Sequence, residues 1–186
     1  MKVTPLSIPD VLLLESTVYE DERGTSQVLF HQARSEELGL PTRFVQDNLS
    51  CSKKSVIRGL HYQRALPQGK LISVIHGRVF DVAVDLRVGS STFGSHTATE
   101  LEAGDGRSVY VPPGFAHGFA ALSEGAAVLY KCQALYDPED QFGIAYDDPD
   151  LAIPWPVGAP RTHPRDTRWP RLRDAQSALF RGLDVP

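Results

Sequence analysis

Long apolar runs and cysteines are scarce in this chain of 186 residues. No segment approaches the roughly 20 apolar residues that a membrane-spanning helix needs, and the apolar run at residues 11–14 is too short for the core of a signal peptide. The two cysteines, Cys51 and Cys132, lack a C-x-x-C spacing, so we interpret them as reduced, partly buried thiols. These absences predict a cytoplasmic protein that has no membrane partner and no disulfide framework.

Excess positive charge is missing as well. The chain has 19 Lys and Arg residues against 23 Asp and Glu residues, which gives a formal net charge of −4. Nucleic-acid-binding proteins are usually basic, so this balance disfavours a nucleic-acid partner, and an anionic ligand would need local cations. The length suits one domain with its own core, and we predict a single domain over residues 1–186.

Turn-forming residues, in contrast, are abundant. Fifteen Gly and 14 Pro residues separate short runs rich in Val, Ile, Phe, Tyr and Thr, a pattern typical of many short strands in a sandwich or barrel. The clearest strand is 78–87, in which Phe80, Val82, Val84 and Leu86 alternate with Asp and Ala. Further strands are predicted at 43–50, 55–62, 70–75, 96–101, 108–111 and 127–136.

Helical patterns are weak. We predict one helical turn at 36–38 and a short C-terminal helix at 174–180. After residue 147 the chain is rich in Pro and Asp and is expected to wrap the barrel. The predicted fold is all-β, an antiparallel jelly-roll β-barrel with short peripheral helices, a barrel core at about 43–136 and a C-terminal wrap at about 147–186. Such barrels bind small ligands in the mouth between their strands.

Two histidine-containing segments could carry chemistry. In RGLHYQ (58–63), His61 and Gln63 face the same way on an extended strand. A histidine that faces a barrel interior can be a base, a metal ligand or a hydrogen-bonded core residue, and this segment alone leaves all three open. The segment PPGFAHG (112–118) has the turn residues and the histidine, His117, of the second cupin motif.

A metal site is poorly supported by these segments. Cupins with a metal usually combine the second-motif histidine with two histidines and a glutamate from the first motif. Here Gln63 stands where the second histidine would be, and Lys70 stands where the acid is expected. Zinc and iron prefer imidazole, thiolate or carboxylate ligands, so we expect neither a catalytic metal nor another cofactor.

From about residue 21 to residue 170 the chain resembles the dTDP-4-dehydrorhamnose 3,5-epimerase family. Any one of the matches would be weak, but so many in order are specific. The matching segments are DERG (21–24), FVQDN (44–48), RGLHYQ (58–63), QGKL (68–71), VFDVAVDLR (79–87), STFG (91–94), PGFAHGF (113–119), LYK (129–131) and DP (148–149).

The resemblance implies a cupin-type barrel and a metal-free epimerase that inverts C3 and C5 of dTDP-4-keto-6-deoxy-D-glucose. The C4 ketone acidifies the hydrogens on both carbons. A base on one face and an acid on the other, with the enolate oxygen stabilised between them, would complete each inversion. The family implies His61 as the base, Asp166 as its carboxylate partner, Tyr130 as the acid and Lys70 as the cation at the enolate oxygen.

The resemblance also implies a set of substrate-binding residues and a homodimer, because the family's nucleotide pocket draws on the neighbouring subunit. Arginines match diphosphate oxygens, although ordinary surface charge is the alternative for both of them. His117 could bind the sugar or support His61. The implied substrate-binding residues are Arg23, Gln46, Asn48, Arg58, His117 and Tyr136.

Departures from the family pattern keep other functions open. Thr25, Ser26 and Gln27 replace the bulky aromatic residues and glutamate usual near the nucleotide, and Leu135 replaces the first of two tyrosines found in some members. Relatives in antibiotic-sugar pathways epimerise C3 alone and are hard to separate by motif. A C3-only epimerase is therefore the alternative within the family. A metal-dependent cupin and a non-catalytic sugar-nucleotide-binding cupin are the alternatives outside it.

Overall fold

The structure is a computed structural model that describes residues 1–181; the last five residues of the predicted C-terminal wrap, 182–186, lie outside the described residues. It consists mainly of short strands. In chain order they are β1 (Lys2–Pro5), β2 (Leu12–Glu15), β3 (Val18–Asp21), β4 (Gly24–Gln27), helix α1 (Gln32–Glu37), β5 (Gln46–Lys53), β6 (Ile57–Gln63), β7 (Lys70–His76), β8 (Arg78–Asp85), β9 (Arg87–Val88), β10 (His96–Glu102), β11 (Arg107–Val111), β12 (Phe115–Ala121), β13 (Gly125–Cys132), β14 (Gln141–Gly143) and β15 (Phe180–Arg181).

Two antiparallel sheets form the barrel. The first has the strand order β1-β2-β11-β7-β13-β5, and the second has the order β10-β8-β12-β6-β14. From β5 to β8, and again from β11 to β14, each connection carries the chain from one sheet to the other. This topology confirms the predicted all-β jelly roll, and helix α1 and two 3₁₀ turns, Asp166–Arg168 and Leu172–Asp174, are its peripheral helical elements.

Strand β8 is buried on both faces, which its alternating sequence did not reveal. Val82 and Val84 pack outward against residues of the C-terminal segment such as Leu179. Val79 and Ala83 point the other way, into the core between the sheets. Each fully buried aliphatic side chain contributes roughly 1.5–3 kcal/mol, so residues 151–180 stabilise the barrel by covering the outside of its second sheet.

The predicted strands are found with shifted ends, and strands β1 to β4, β12, β14 and β15 were not predicted. Strand β12 has the sequence FAHGFAA, which lacks β-branched residues and contains one Gly and three Ala, so its strand signal was weak. The strand predicted at 43–50 runs from residue 46 to 53, and the one predicted at 127–136 ends at residue 132. Helix α1 begins at residue 32, earlier than the turn predicted at 36–38.

The predicted C-terminal helix at 174–180 was wrong. That segment instead holds the end of a 3₁₀ turn, and its end is strand β15, which pairs in parallel with β9. Ala175, Leu179 and Phe180 are all buried in the outer cluster, so packing on the barrel and pairing with β9 outweigh the weak local preference for helix. Both cysteines are free thiols, as predicted, but Cys51 is exposed rather than partly buried, and Cys132 is buried.

Residues 1–181 contain no helix that is both long enough and apolar enough to span a membrane.

Candidate active site

A cavity of about 670 Å³ lies between the two sheets. One wall comes from β5, β7 and β13, the facing wall from β6, β12 and β14, and the segment 161–166 completes the rim. Nine of the ten predicted site residues line this cavity; Arg23 does not. The volume falls within the range of small-molecule sites in proteins.

His61 and Asp166 form a hydrogen-bonded pair on one wall. His61 Nε2 lies 2.7 Å from Asp166 Oδ1, although 105 residues separate the two in the chain. The Asp166 side chain is 3% exposed and the His61 side chain is 22% exposed. Because an ionised carboxylate only accepts hydrogen bonds, Nε2 carries the ring proton and Nδ1 keeps a lone pair. The pair is therefore arranged as a base whose free nitrogen is Nδ1.

The electrostatic state of the pair follows from its burial. Burial lowers the pKa of His61 from its ordinary 6.5, and the hydrogen bond and negative charge of Asp166 oppose that shift. Burial would raise the pKa of Asp166, but hydrogen bonds from His61, Trp169 and the Gly59 amide together lower it from 3.8. At neutral pH the pair is a neutral imidazole beside a carboxylate, which is the proton-accepting state.

Tyr130 lies on the opposite wall. It belongs to β13, where it pairs with Asn48 of β5 on one side and with Ile72 of β7 on the other. Its hydroxyl is 3.4 Å from Ser50 Oγ, and its ring packs partly against the core between the sheets. A ligand held between the sheets would therefore have His61 on one side and the Tyr130 phenol on the other.

Lys70 is the first residue of β7 and lines the same cavity, with 8% of its surface exposed. Burial lowers the pKa of its ammonium group from 10.5. Within residues 1–181 no carboxylate lies within 4.0 Å of that group. A buried cation without an ion-pair partner is costly to the fold, so this lysine is available to stabilise negative charge that develops in the cavity.

His117 is held by a second carboxylate. Its Nε2 lies 2.8 Å from Asp81 Oδ2, and both side chains are buried. The strands that carry the two histidines approach unusually closely at Gly59 and Gly118. A Cβ atom on Gly59 would lie 2.6 Å from Gly118 Cα, and the Gly59 φ of +114° is one that side chains rarely adopt. Glycine at both positions lets β6 and β12 bring their histidines together.

The Gln63 side chain is buried, and its hydrogen bonds go to backbone atoms of two loops rather than into the cavity. Its amide nitrogen donates to the carbonyls of Leu66 and Leu135, and its oxygen accepts from the Asp137 amide. This connects the loop after β6 to the loop that carries Tyr136. The position where metal cupins hold a histidine is thus occupied here by a structural amide.

The predicted binding residues Gln46, Asn48, Arg58 and Tyr136 are all at the cavity. Gln46 donates to Asn48 Oδ1 at 2.9 Å and accepts from the Tyr136 amide at 2.8 Å. Arg58 is held by Ser52 Oγ and the Cys51 carbonyl. These contacts fix the side chains before any ligand arrives, which lowers the entropy cost of binding.

Arg23 is located elsewhere. It follows β3 at the tip of the exposed β3–β4 hairpin, where its guanidinium forms an ion pair with Asp21. The side chain is 84% exposed and does not line the cavity of the described chain.

Sequence reasoning missed several cavity residues. Arg161, His163 and Arg165 line the rim from the C-terminal segment, and Gln141 lines it from β14. The backbone of Arg161 is bound to Ser55 and Ile57 at the start of β6, which brings this segment to the cavity. The cluster of arginines after residue 160 was the one available signal, but nothing in its spacing indicated a place in the fold.

Metal ligands are not grouped in the described part of the chain. Residues 1–181 contain no set of three or more His, Cys, Asp or Glu side chains placed to hold a metal ion.

Comparisons with known proteins agree with this geometry. The family model for dTDP-4-dehydrorhamnose 3,5-epimerase matches residues 5–174. The dTDP-4-dehydrorhamnose 3,5-epimerase of Methanothermobacter thermautotrophicus is 48% identical over 171 residues, which cover 90% of this chain and 92% of that protein. The dTDP-4-dehydrorhamnose 3-epimerase of Streptomyces niveus is 40% identical, covering 96% and 87%.

A solved structure is also closely similar. It is the dTDP-6-deoxy-D-glucose-3,5-epimerase of Legionella pneumophila in complex with dTDP-4-keto-L-rhamnose, with a TM-score of 0.93 and 45% identity, covering 97% of this chain and 98% of that one. The match of the family model to most of the chain, together with these identities, means that this protein belongs to the dTDP-4-dehydrorhamnose 3,5-epimerase family.

Proposed function

We propose that this protein is an isomerase that inverts C3 and C5 of dTDP-4-keto-6-deoxy-D-glucose to give dTDP-4-keto-L-rhamnose. The observation that carries the proposal is the placement of the His61–Asp166 pair and Tyr130 on opposite walls of one cavity. Inversion at carbon needs a proton removed from one face and returned to the other.

In the first step, His61 Nδ1 takes the hydrogen from C3, and the C–H electron pair moves into an enolate whose charge lies on the C4 oxygen. The Lys70 ammonium stabilises that oxygen inside the cavity, where the low dielectric constant strengthens the interaction. Asp166 stabilises the imidazolium that forms and holds the ring in place.

In the second step, the Tyr130 hydroxyl gives a proton to the opposite face of C3. The enolate electrons return to the carbon and the ketone re-forms. His61 then loses its extra proton and the Tyr130 phenolate regains one, so both groups are restored without any change in redox state. The same two steps at C5 then invert the second centre.

The nucleotide end of the substrate carries two phosphates, and cations are available at the rim. Arg58 is pre-positioned by its hydrogen bonds to Ser52 and Cys51, and Arg161 and Arg165 lie nearby. Gln46 and Asn48 can bind nucleotide or phosphate oxygens from the wall opposite. A nucleotide-linked sugar is also consistent with the cytoplasmic location expected from the sequence.

We further infer a homodimer. The β3–β4 hairpin exposes Tyr19 and carries Arg23 away from its own cavity. Strand β5 is an edge of the first sheet and exposes Leu49 at 58%. Proteins usually cover an edge strand that carries apolar side chains. A second copy of the chain would cover β5 and would bring its own β3–β4 hairpin towards this cavity.

Subunit mixing tests this arrangement. Arg23→Ala and His61→Ala variants would each be inactive alone. If Arg23 acts in the cavity of the other subunit, a heterodimer of the two variants has one complete site, and mixing should recover part of the wild-type activity. If activity stays absent although subunits carrying two different affinity tags co-purify as heterodimers, Arg23 does not act across subunits.

The main experiment uses D₂O. Purified protein is incubated with dTDP-4-keto-6-deoxyglucose, and the C3 and C5 hydrogens are followed by NMR. Exchange at both carbons, with capture of the L-sugar by a reductase, is the expected result. Exchange at C3 alone would indicate the C3-only epimerase, and tight binding without exchange would indicate a non-catalytic binding protein.

A further inference from the structure

Trp169 contacts both members of the His61–Asp166 pair from behind. It directly follows the 3₁₀ turn that contains Asp166, and its indole Nε1 donates to Asp166 Oδ1 at 3.3 Å. That oxygen is the one bound to His61 Nε2. The indole ring also meets the His61 ring edge-on, with centroids 6.3 Å apart and planes at 75°.

The place that the indole occupies exists because residue 143 is glycine. Gly143 lies in β14 directly opposite His61 in the strand register. A Cβ atom built on it would lie 2.5 Å from the Trp169 ring, closer than real side chains come. The Arg165 guanidinium lies 5.8 Å from the centre of the same ring. The indole thus lies between Gly143 of β14, the Arg165 guanidinium and the His61–Asp166 pair.

We propose that Trp169 is a positioning residue for the base: it fixes the orientation of the Asp166 carboxylate, whose Oδ1 it shares with His61 Nε2, and it keeps water away from the back of the pair. The catalytic part of this inference rests on the proposed function, but its effect on the ionisation of His61 does not. Nothing in the sequence motifs marks Trp169, because its contacts join β6, β14 and the C-terminal turn.

Loss of the indole leaves the 2.7 Å hydrogen bond between His61 and Asp166 in place, and two physical effects on the ionisation of His61 then follow, both of the same sign. Without the N–H donor, more of the negative charge of Asp166 is available to stabilise the imidazolium of His61. With less cover, the imidazolium is better hydrated, and burial is the main cause of the lowered pKa of His61. Both effects move the pKa of His61 upward.

Other charges near His61 are unchanged by this substitution. They come from five parts of the fold. The titratable and charged groups that face or flank His61 are Arg58 on its own strand, Lys70 on β7, His117 on β12, Tyr130 on β13, and Arg161, His163, Arg165 and Asp166 on the C-terminal segment.

The test is Trp169→Phe, which keeps an aromatic ring but removes the N–H group. NMR titration of His61 in the full-length protein, without substrate, should show its pKa moved to higher pH. The acid limb of kcat/KM for C3 exchange should move the same way, and kcat should fall roughly tenfold, because the carboxylate that orients the imidazole is less firmly placed.

Trp155→Phe is the matched control. Trp155 donates its indole N–H to the Tyr146 carbonyl at 2.8 Å and packs against Phe80, away from the cavity. The hydrogen bond lost in Trp155→Phe is shorter than the 3.3 Å bond lost in Trp169→Phe. Any general loss of stability should therefore be at least as large in Trp155→Phe. The titration of His61 should nevertheless be unchanged.

Gly143→Ala provides an independent test that keeps the indole in the chain. The added methyl group would displace the ring, so the pKa of His61 should again rise. If His61 titrates as in the wild type in both Trp169→Phe and Gly143→Ala, the proposal is overturned. Because this titration needs no substrate, it can succeed or fail separately from the epimerase assignment.

Discussion

His61 and His117 lie directly opposite each other on neighbouring antiparallel strands, yet each is bound to a different carboxylate. Asp166 holds His61 from the C-terminal segment, whereas Asp81 holds His117 from the adjacent strand β8. His117 is buried and Asp81 reaches its Nε2, so its place is fixed within the barrel wall. His61 is more exposed to the cavity, which suits it to exchange protons with a ligand.

Replacement of the base tests the mechanism most directly. In His61→Ala, exchange of the C3 and C5 hydrogens should fall by roughly 10²–10⁴-fold, the usual contribution of a general base. NMR in D₂O measures both positions. His96→Ala is a control on β10 that does not line the cavity. Exchange retained in His61→Ala would refute its role.

Asp166→Asn should reduce activity by roughly 10²–10⁴-fold, because an amide can offer its N–H to Nε2 and leave the proton on Nδ1. The pH dependence of kcat/KM provides a second test of the pair. The pKa of His61 is below 6.5 in the wild type, and Asp166 raises it. The acid limb of the remaining kcat/KM should therefore move to still lower pH, opposite to Trp169→Phe. The exposed Asp174→Asn serves as control, and an unmoved limb would contradict the pairing.

Tyr130→Phe separates deprotonation from reprotonation. The ring keeps its packing against the core, but the proton donor is lost. Formation of the inverted sugar should fall more than hydrogen exchange, since His61 can still remove and return a proton on its own face. Product formation and exchange are measured in the same NMR sample, with Tyr146→Phe as control. Equal losses of the two rates would count against a pure acid role.

Lys70→Met should have opposite effects on activity and stability. Activity should fall by roughly 10²–10³-fold with loss of the cation at the enolate oxygen. The free energy of unfolding should rise by about 1 kcal/mol near neutral pH, since a buried charge is removed and the apolar stem remains. Urea titrations of Lys70→Met and of the exposed Lys53→Met measure this difference.

The increase in the free energy of unfolding caused by Lys70→Met should depend on pH. Burial lowers the pKa of Lys70 below 10.5 in the folded state, so the unfolded state binds the proton more tightly. The destabilisation by Lys70 is complete below its folded pKa and disappears as pH rises to 10.5. A stability difference that stayed constant up to pH 10.5 would show that the ammonium group is not its cause.

Gly118→Ala tests the close approach of β6 and β12. The new methyl group would lie 2.6 Å from the Arg58 carbonyl oxygen, and the resulting strain should cost about 1–3 kcal/mol of stability. Gly104→Ala is the control, because its φ is +81° but the space around it is empty. Both variants should lose stability, but only Gly118→Ala should also lose activity, by as much as about 100-fold. If the two variants are equally active, the close approach of β6 and β12 is not needed for catalysis.

Much of the candidate site could be predicted from the sequence because its motifs are local. His61, Lys70, His117 and Tyr130 each lie in a short segment whose residues match the family in order, and strand alternation indicated the face of His61 and of Tyr130. These features depend on residues close together in the chain.

Other features were decided only by the tertiary structure. The alternation of β8 was correct in period, but it could not show which face points into the barrel. Val82 and Val84 pack outward under residues 151–180, whereas the buried Asp81 and Asp85 lie on the inner face. The segment 174–180 had a weak helical pattern but forms a turn that leads into strand β15, with Leu179 and Phe180 buried against the barrel.

What the sequence determined by itself was the set of chemical groups and the type of fold, because periodicity, turns and motifs are properties of neighbouring residues. The tertiary structure decided which groups act on each other. Asp166 reaches His61 across 105 residues, and Trp169 rests on Gly143 opposite that same histidine. Such contacts arise from the packing of distant segments, and no local pattern in the chain encodes the distance between them.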